Sequence, residues 1–350
     1  MKLSRLYKSV FLLLLFSPWP AVAGDHAVAF IYHHFDVARY PSTNTSAADF
    51  ERHLTHLKEQ NFHVLPLNEI VARLQQGESL PARTVAITID DAYESVFHTA
   101  APLLERYGFP ATVFVSTDYI DQHLNPYMSW NQMRQLQQRG FSFANHSRSH
   151  AYLVRRQRDE TLKQWQDRIR KDIRHAQQRL ADELGVKARL FAYPYGEYST
   201  ALADIVTKMG YAAFGQHSGV ISRFGDLSAL PRFPMGGRYA DIDDFRLKAL
   251  TLPMPVLDVK PTDPLRHDDT APRMRVTLDT NDIRRETVRC YVSGVGSTPL
   301  NWSSDNGPAQ FTVQSPESLP VGRSRYNCTA PSLRDPSRYY WFSHLWIRRP

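Results

Sequence analysis

The sequence predicts an α/β fold: a barrel-like parallel sheet wrapped by helices, followed by a small all-β domain. Three observations predict it. From Gly24 to about Pro255, apolar runs alternate with capped amphipathic segments, the pattern of repeated strand–helix units. About seven or eight such units in ~230 residues favour closure of the sheet, with a doubly wound open sheet as the alternative. After about Leu252 the chain turns proline-rich and then alternates with period two, as strands with one buried face do.

The elements follow in order. Ala27–Tyr32 is the first strand. Ser46 can cap a helix whose Phe50, Leu54 and Leu57 share one face. Phe62–Leu65 reads as a short strand and Leu67–Leu74 as a helix. The Thr84–Ile89 strand leads into a helix around Val96–Tyr107, closed by Gly108. Ala111–Val115 is a β-branched strand, Ser129 can cap a helix ending at Gly140, and Phe141–Ala144 is the next strand. A long helix spans about Asp159–Leu184. Its Leu162, Trp165, Ile169, Ile173, Ala176, Leu180 and Leu184 recur at spacings of three and four, a core-facing stripe. Leu190–Tyr193, Tyr211–Phe214 and Leu230–Phe233 are the remaining strands, with a helix over Ala201–Met209.

Composition bounds the rest. At 42% hydrophobic and 22% charged the chain is ordinary globular protein. Residues 1–23 read as a signal peptide. Lys2, Arg5 and Lys8 precede an apolar Val10–Phe16 stretch, and Ala21-Val22-Ala23 offers a cleavage site. The mature chain is expected to be periplasmic or secreted, with no stable membrane span. Three of the net +7 charges leave with that segment. No long basic run remains, so no nucleic-acid partner is expected. Residues 24–255 are expected to form the main domain, 256–273 a proline-rich linker, and 274–350 a small β-domain. Strands are expected there at Met274–Leu278, Val288–Val292, Gln310–Val313 and Tyr339–Ile347. Its Cys290 and Cys328, the only cysteines, read as one disulfide in an exported protein. Trp302, Tyr339, Tyr340, Trp341 and Trp346 are candidates for stacking on sugars or for core packing.

Chemistry concentrates where strands end. Asp90-Asp91 ends the Thr84–Ile89 run, and His146-Ser147-Arg148-Ser149-His150 ends the Phe141–Ala144 run. Carboxyl ends of strands are where α/β folds place sites. One carboxylate and two imidazoles form a three-ligand set with an open position, as hydrolytic zinc sites need. A second carboxylate can then serve as a base. An Asp pair before a helix is also a common cap, so the pairing with His-x3-His carries the weight. Asn145 and the serines of the second motif can orient the rings. Tyr193-Pro194-Tyr195-Gly196 is a turn that can aim a backbone N–H at an oxyanion. Tyr32-His33-His34 ends the first strand. An acid there suits amide hydrolysis, whose amine leaving group needs a proton.

Taken together and in this order, these motifs resemble the polysaccharide deacetylases, carbohydrate esterase family 4 or the NodB-homology enzymes, over roughly residues 27–250. Tyr-His-His, Thr-Ile-Asp-Asp, His-Ser-x-x-His and Phe-Ala-Tyr-Pro-Tyr-Gly are most similar to the branch acting on poly-β-1,6-N-acetylglucosamine, as are Pro41-Ser42-Thr43 and Leu230-Pro231-Arg232-Phe233-Pro234. The resemblance implies a distorted (β/α)7 barrel and a divalent metal, expected to be Zn2+, on Asp91, His146 and His150. It implies Asp90 as general base and the Tyr195 N–H at the oxyanion. His33 is the implied general acid, with His34 its competitor. The usual family arginine two residues before the Pro194-Tyr195 pair is Ala192 here, and Arg232 is the candidate replacement. Trp130 is placed either on a sugar or in the core. The implied substrate is an N-acetylated polysaccharide. Peptidoglycan, chitin-like oligomers, O-acetyl esters and a non-catalytic glycan-binding role are the alternatives. Protein partners are not implied.

Overall fold

Seven short strand segments run parallel around one interior. In a computed structural model describing residues 24–303 and 308–349, they are His26–Tyr32, Thr84–Asp90, Ala111–Val115, Phe141–Asn145, Leu190–Ala192, Ala212–Phe214 and Phe233–Pro234. The expected signal peptide lies outside the described residues. Among the described residues no helix is long and apolar enough to cross a membrane.

The ring closes through a very small element. Leu230 bridges to Phe214, and three residues later Phe233 pairs with Phe30 of the first strand. The Leu230–Pro234 segment is therefore shared between the last full strand and the first. A second thin seam lies between Phe141–Asn145 and Leu190–Ala192, joined by the single pair Asn145–Phe191. This is the expected distorted (β/α)7 barrel.

Side-chain size sorts along each strand with period two. Ala27, Ala29, Ala86, Ala144 and Ala192 belong to the inner cluster with Phe114 and Phe214. Val28, Phe30, Tyr32, Val85, Ile87 and Ile89 pack outward against the helices. The small interior leaves room at the mouth for Asp90 and Arg232, both fully buried. Helix signals behave as expected. Ser46 accepts from the Asp49 N–H, and Ser129 forms a capping box with Gln132. The long helix begins at Leu162, capped by Thr161 and Gln164, rather than at Asp159. Its Leu162 is 54% exposed and leaves the expected core stripe, because the first turn runs past the packed surface.

The expected linker is not a linker. Val256–Lys260 pairs antiparallel with Arg273–Leu278, and Leu265–Arg266 pairs with Tyr339–Arg348. Leu252–Pro253 joins the same edge. The prolines punctuate edge strands, where a missing N–H is tolerated. The β-rich region packs a six-stranded sheet on a four-stranded one over a shared apolar core. Cys290 and Cys328 sit directly opposite on neighbouring strands and are disulfide-bonded.

Candidate active site

Asp90 and Asp91 diverge because the strand ends between them. Asp90 is the last strand residue and follows Ala86 and Thr88 on the inner face. Asp91 has a left-handed backbone, φ 74°, which swings its carboxylate to the mouth as well. Ala92, Ser147, His150 and Tyr195 also have positive φ near 50–70°. Such strain in non-glycine residues gathers where a site over-determines the backbone.

The histidine loop is held from behind. Asn145 accepts from the Ser147 N–H and donates to the Ile173 carbonyl of the long helix. Asp172 of that helix accepts from the Arg148 N–H and the Ser149 hydroxyl. Asn145 and the serines thus fix the loop's backbone, whereas the His146 ring is oriented by Ala192. Its Nδ1 lies 2.8 Å from the Ala192 carbonyl. A carbonyl only accepts, so Nδ1 carries the proton and the neutral ring turns a bare Nε2 into the site.

That Nε2 lies 3.4 Å from Asp91 Oδ1, and His150 Nε2 lies 3.1 Å from the same atom. Yet Asp91 Oδ1 is buried without a hydrogen-bond partner. One ligand atom from each of Asp91, His146 and His150 lies within 4.8 Å of the others. A buried carboxylate oxygen facing two imidazole nitrogens, one shown to be a lone pair, fits a divalent cation. Burial opposes Asp91's charge, but His146 and His150 outweigh it and hold Asp91 well below the usual carboxylate range.

Asp90 faces a different partner. Arg232 donates to both its oxygens, at 2.7 and 2.9 Å, and also to the Gly215 carbonyl at 3.0 Å. Arg232 rides on the closing Leu230–Pro234 segment, between the rings of Phe114 and Phe214. The element that shuts the barrel thus delivers the cation that pairs the inner carboxylate. Burial works against Asp90's charge, but Arg232 and then His146 overcome it, leaving its acidity strengthened.

His33 and His34 separate clearly. Burial pushes His33 below its ordinary value, while Asp90 and Asp91 pull it up. His34 is stacked between Tyr40 and Tyr93, at 4.3 and 3.8 Å, and its Nδ1 is bonded to Thr43. Burial brings His34 to about 4. Tyr195 sits at the other side of the mouth. Its ring meets His150 edge-on and stacks on Tyr152. Gly196 (φ 67°) follows, where a Cβ would fall 2.6 Å from the Gln216 side chain. Trp130 lies in the core, 8% exposed, with its Nε1 bonded to Asp121.

Residues 77–214 match the polysaccharide deacetylase family. The chain carries a polysaccharide deacetylase domain. A poly-β-1,6-N-acetyl-D-glucosamine N-deacetylase of Staphylococcus aureus (strain MRSA252) is 25% identical over 185 residues, 52% of this chain and 63% of that protein. One from Escherichia coli (strain K12) is 24% identical over 257 residues, 63% of this chain but 38% of its own length. The chain thus spans less than two thirds of either relative. The fold is that of the Streptococcus pyogenes deacetylase PplD in complex with acetate (TM-score 0.58, 20% identity, 64% of this chain and 98% of that one). It is also that of IcaB from Ammonifex degensii (TM-score 0.56, 22% identity, 65% and 98%).

The deacetylase domain's mouth also has an aromatic rim that the sequence reading did not assign. Tyr93 stacks on Tyr127, Tyr127 on Tyr119, and Tyr119 leans on His150. Tyr93, two residues after Asp91, was the one with a positional signal.

Proposed function

We propose that this chain is an exported, metal-dependent hydrolase that removes N-acetyl groups from an N-acetylglucosamine polysaccharide and releases acetate. The observation that carries the reading is the pairing of two unlike carboxylate sites at one barrel mouth. Asp91 faces His146 and His150, and Asp90 is locked to Arg232 beside them. A divalent cation such as Zn2+, held by Asp91, His146 and His150, would supply Lewis acidity for the acetyl oxygen and an attacking water.

The chain's own groups account for the proton traffic. Asp90, ionised and fixed by Arg232, accepts the proton of the water whose oxygen bonds to the amide carbon. The Tyr195 N–H donates to the oxyanion that forms. His33 donates a proton to the amine nitrogen as the C–N bond breaks, leaving acetate and a glucosamine unit that becomes cationic. His33 is favoured over His34 because the tyrosine stack occupies both faces of His34. The disulfide and the N-terminal segment support export, since such bonds persist in oxidising compartments. The matched relatives' names support β-1,6-linked N-acetylglucosamine as substrate.

The test is acetate release from β-1,6-linked N-acetylglucosamine oligomers, beside a chelated sample and Asp90→Asn. Release is expected to stop with chelator and to fall by about 10²–10⁴-fold in Asp90→Asn. Unchanged release in Asp90→Asn would remove Asp90 from the chemistry. Full metal loading without release would point to another acylated glycan.

A further inference from the structure

The six-stranded sheet shows two different outer surfaces along one face. The Gly322–Pro331 strand alternates, with Ser324, Tyr326, Cys328 and Ala330 buried and Arg323, Arg325, Asn327 and Thr329 on the other face. At one end Arg323 donates to the Tyr195 carbonyl and Arg325 to the Gln216 carbonyl. That end is covered by the barrel. Thr329 lies six residues on, about 20 Å at strand spacing. There the face is open.

Register defines what gathers at the open end. Asn327 pairs with Tyr291 on one side and Ser343 on the other, and Thr329 pairs with Trp341. Tyr291, Asn327, Thr329 and Trp341, with Tyr339 and Leu247, line a groove of about 300 Å3. Tyr291 is 44% exposed and Tyr339 39%. Trp341 is steadied from behind by Phe233 at 5.3 Å.

The polar groups on the groove floor are orientated and have donors to spare. The Trp341 Nε1 donates to Ser343 Oγ, which donates to Asn327 Oδ1. An indole N–H cannot accept, so the relay runs one way and leaves the Asn327 amide N–H2 for a ligand. Among the described residues the Thr329 hydroxyl has no hydrogen-bond partner either. Three aromatic rings around an amide and a hydroxyl, with no charged group lining the groove, suit one kind of ligand. A pyranose offers apolar C–H faces to rings, and hydroxyl and acetamido groups to an amide donor.

We propose that this groove is a second glycan-binding site, which holds a neutral N-acetylhexosamine polysaccharide away from the reaction centre. The substrate class rests on the deacetylase reading of the barrel; the groove itself does not depend on catalysis. Arg338, next to Tyr339, reaches His26 at the start of the first barrel strand, whereas the carboxylates lie at the strands' far ends. One chain engaging both sites must be several sugars long. The groove would therefore retain polymer and ignore short substrates.

The test uses the full chain and insoluble β-1,6-linked poly-N-acetylglucosamine, scored by co-sedimentation. Wild type and Asp90→Asn should bind alike. Tyr291→Ala/Tyr339→Ala should bind about tenfold more weakly, one to two ring contacts' worth. Both tyrosines are exposed, so loss of fold is not expected, and circular dichroism would check it. Thr329→Trp, which fills the groove and keeps both rings, should weaken binding similarly. Equal binding by wild type and both groove variants would overturn the proposal, as would no binding by wild type. Acetate release from short oligomers should be unchanged in the groove variants. Absence of release in wild type, with groove-dependent binding intact, would remove β-1,6-linked N-acetylglucosamine as the barrel's substrate and leave this proposal standing.

Discussion

The barrel mouth and the interior of the β-rich region bury polar groups in opposite ways. At the mouth, Asp90, Asp91, His146 and Arg232 are all under 10% exposed and face one another. Between the two β-sheets, burial is dominated by Met274, Val276, Phe311, Trp346 and the disulfide. Burying charge costs several kcal/mol per ion unless it is paired. A fold accepts that cost where the charges have work to do. The contrast separates a candidate reaction centre from a packing core, and it is sharpest at Arg232.

Arg232→Met is therefore the most damaging single change expected. It would leave Asp90 buried, ionised and unpartnered. We expect a loss of about 3–5 kcal/mol, read from the urea midpoint. Arg232→Met/Asp90→Leu should recover much of that stability while acetate release stays absent. If the single variant cost less than about 1 kcal/mol, the pair would not be the structural keystone of the mouth.

The seam between the two regions supplies the next test. His217 of the barrel and His344 of the six-stranded sheet are both buried. Burial, then Arg325, His344 and Arg232, bring His217 to about 3. Burial brings His344 to about 4, against a pull upward from Asp263. Between an ordinary imidazole value and these depressed ones, the unfolded chain binds more protons than the folded one. Stability contributed by the neutral rings is full above about pH 6.5 and is lost as pH falls toward 4 and 3. The midpoint of urea unfolding should drop between pH 7 and 4.5, by up to a few kcal/mol in stability. His344→Phe should flatten that slope. An identical slope in the variant would show that the seam does not sense protons.

The same contrast explains what could be read in advance. Asp90, Asp91, His146 and His150 were legible because strand ends are marked by apolar runs and chemistry-bearing residues follow them. Arg232 was legible only by resemblance, as the replacement for an absent arginine at Ala192. Its geometric reason is the closing segment, whose pairing with both the first and last strands no local pattern shows. The linker reading failed because proline content marks edge strands as well as loops. The ten-residue Gly322–Pro331 strand was missed because its inward residues, Ser324, Tyr326, Cys328 and Ala330, include no branched aliphatic side chain to mark a strand. The aromatic rim was missed because Tyr93 and Tyr127 lie in two loops and Tyr119 on the short Thr117–Asp121 helix, and the three meet only in space.

Arg323 links the two regions most directly, and its effect should be the smallest. It donates to the Tyr195 carbonyl and to Gln216 Oε1. The donor and acceptor of a peptide turn move together, so this contact from the six-stranded sheet would help aim the N–H proposed for the oxyanion. Arg323 touches no reacting atom in that account and is a positioning residue. Arg323→Ala should lower kcat on a short oligomer by about five- to tenfold, the worth of one hydrogen bond in the transition state. KM and metal stoichiometry should be unchanged, and Arg323→Lys should recover part of the loss. A fall in stability with kcat intact would instead make Arg323 a strut between the regions, with no part in aiming the turn.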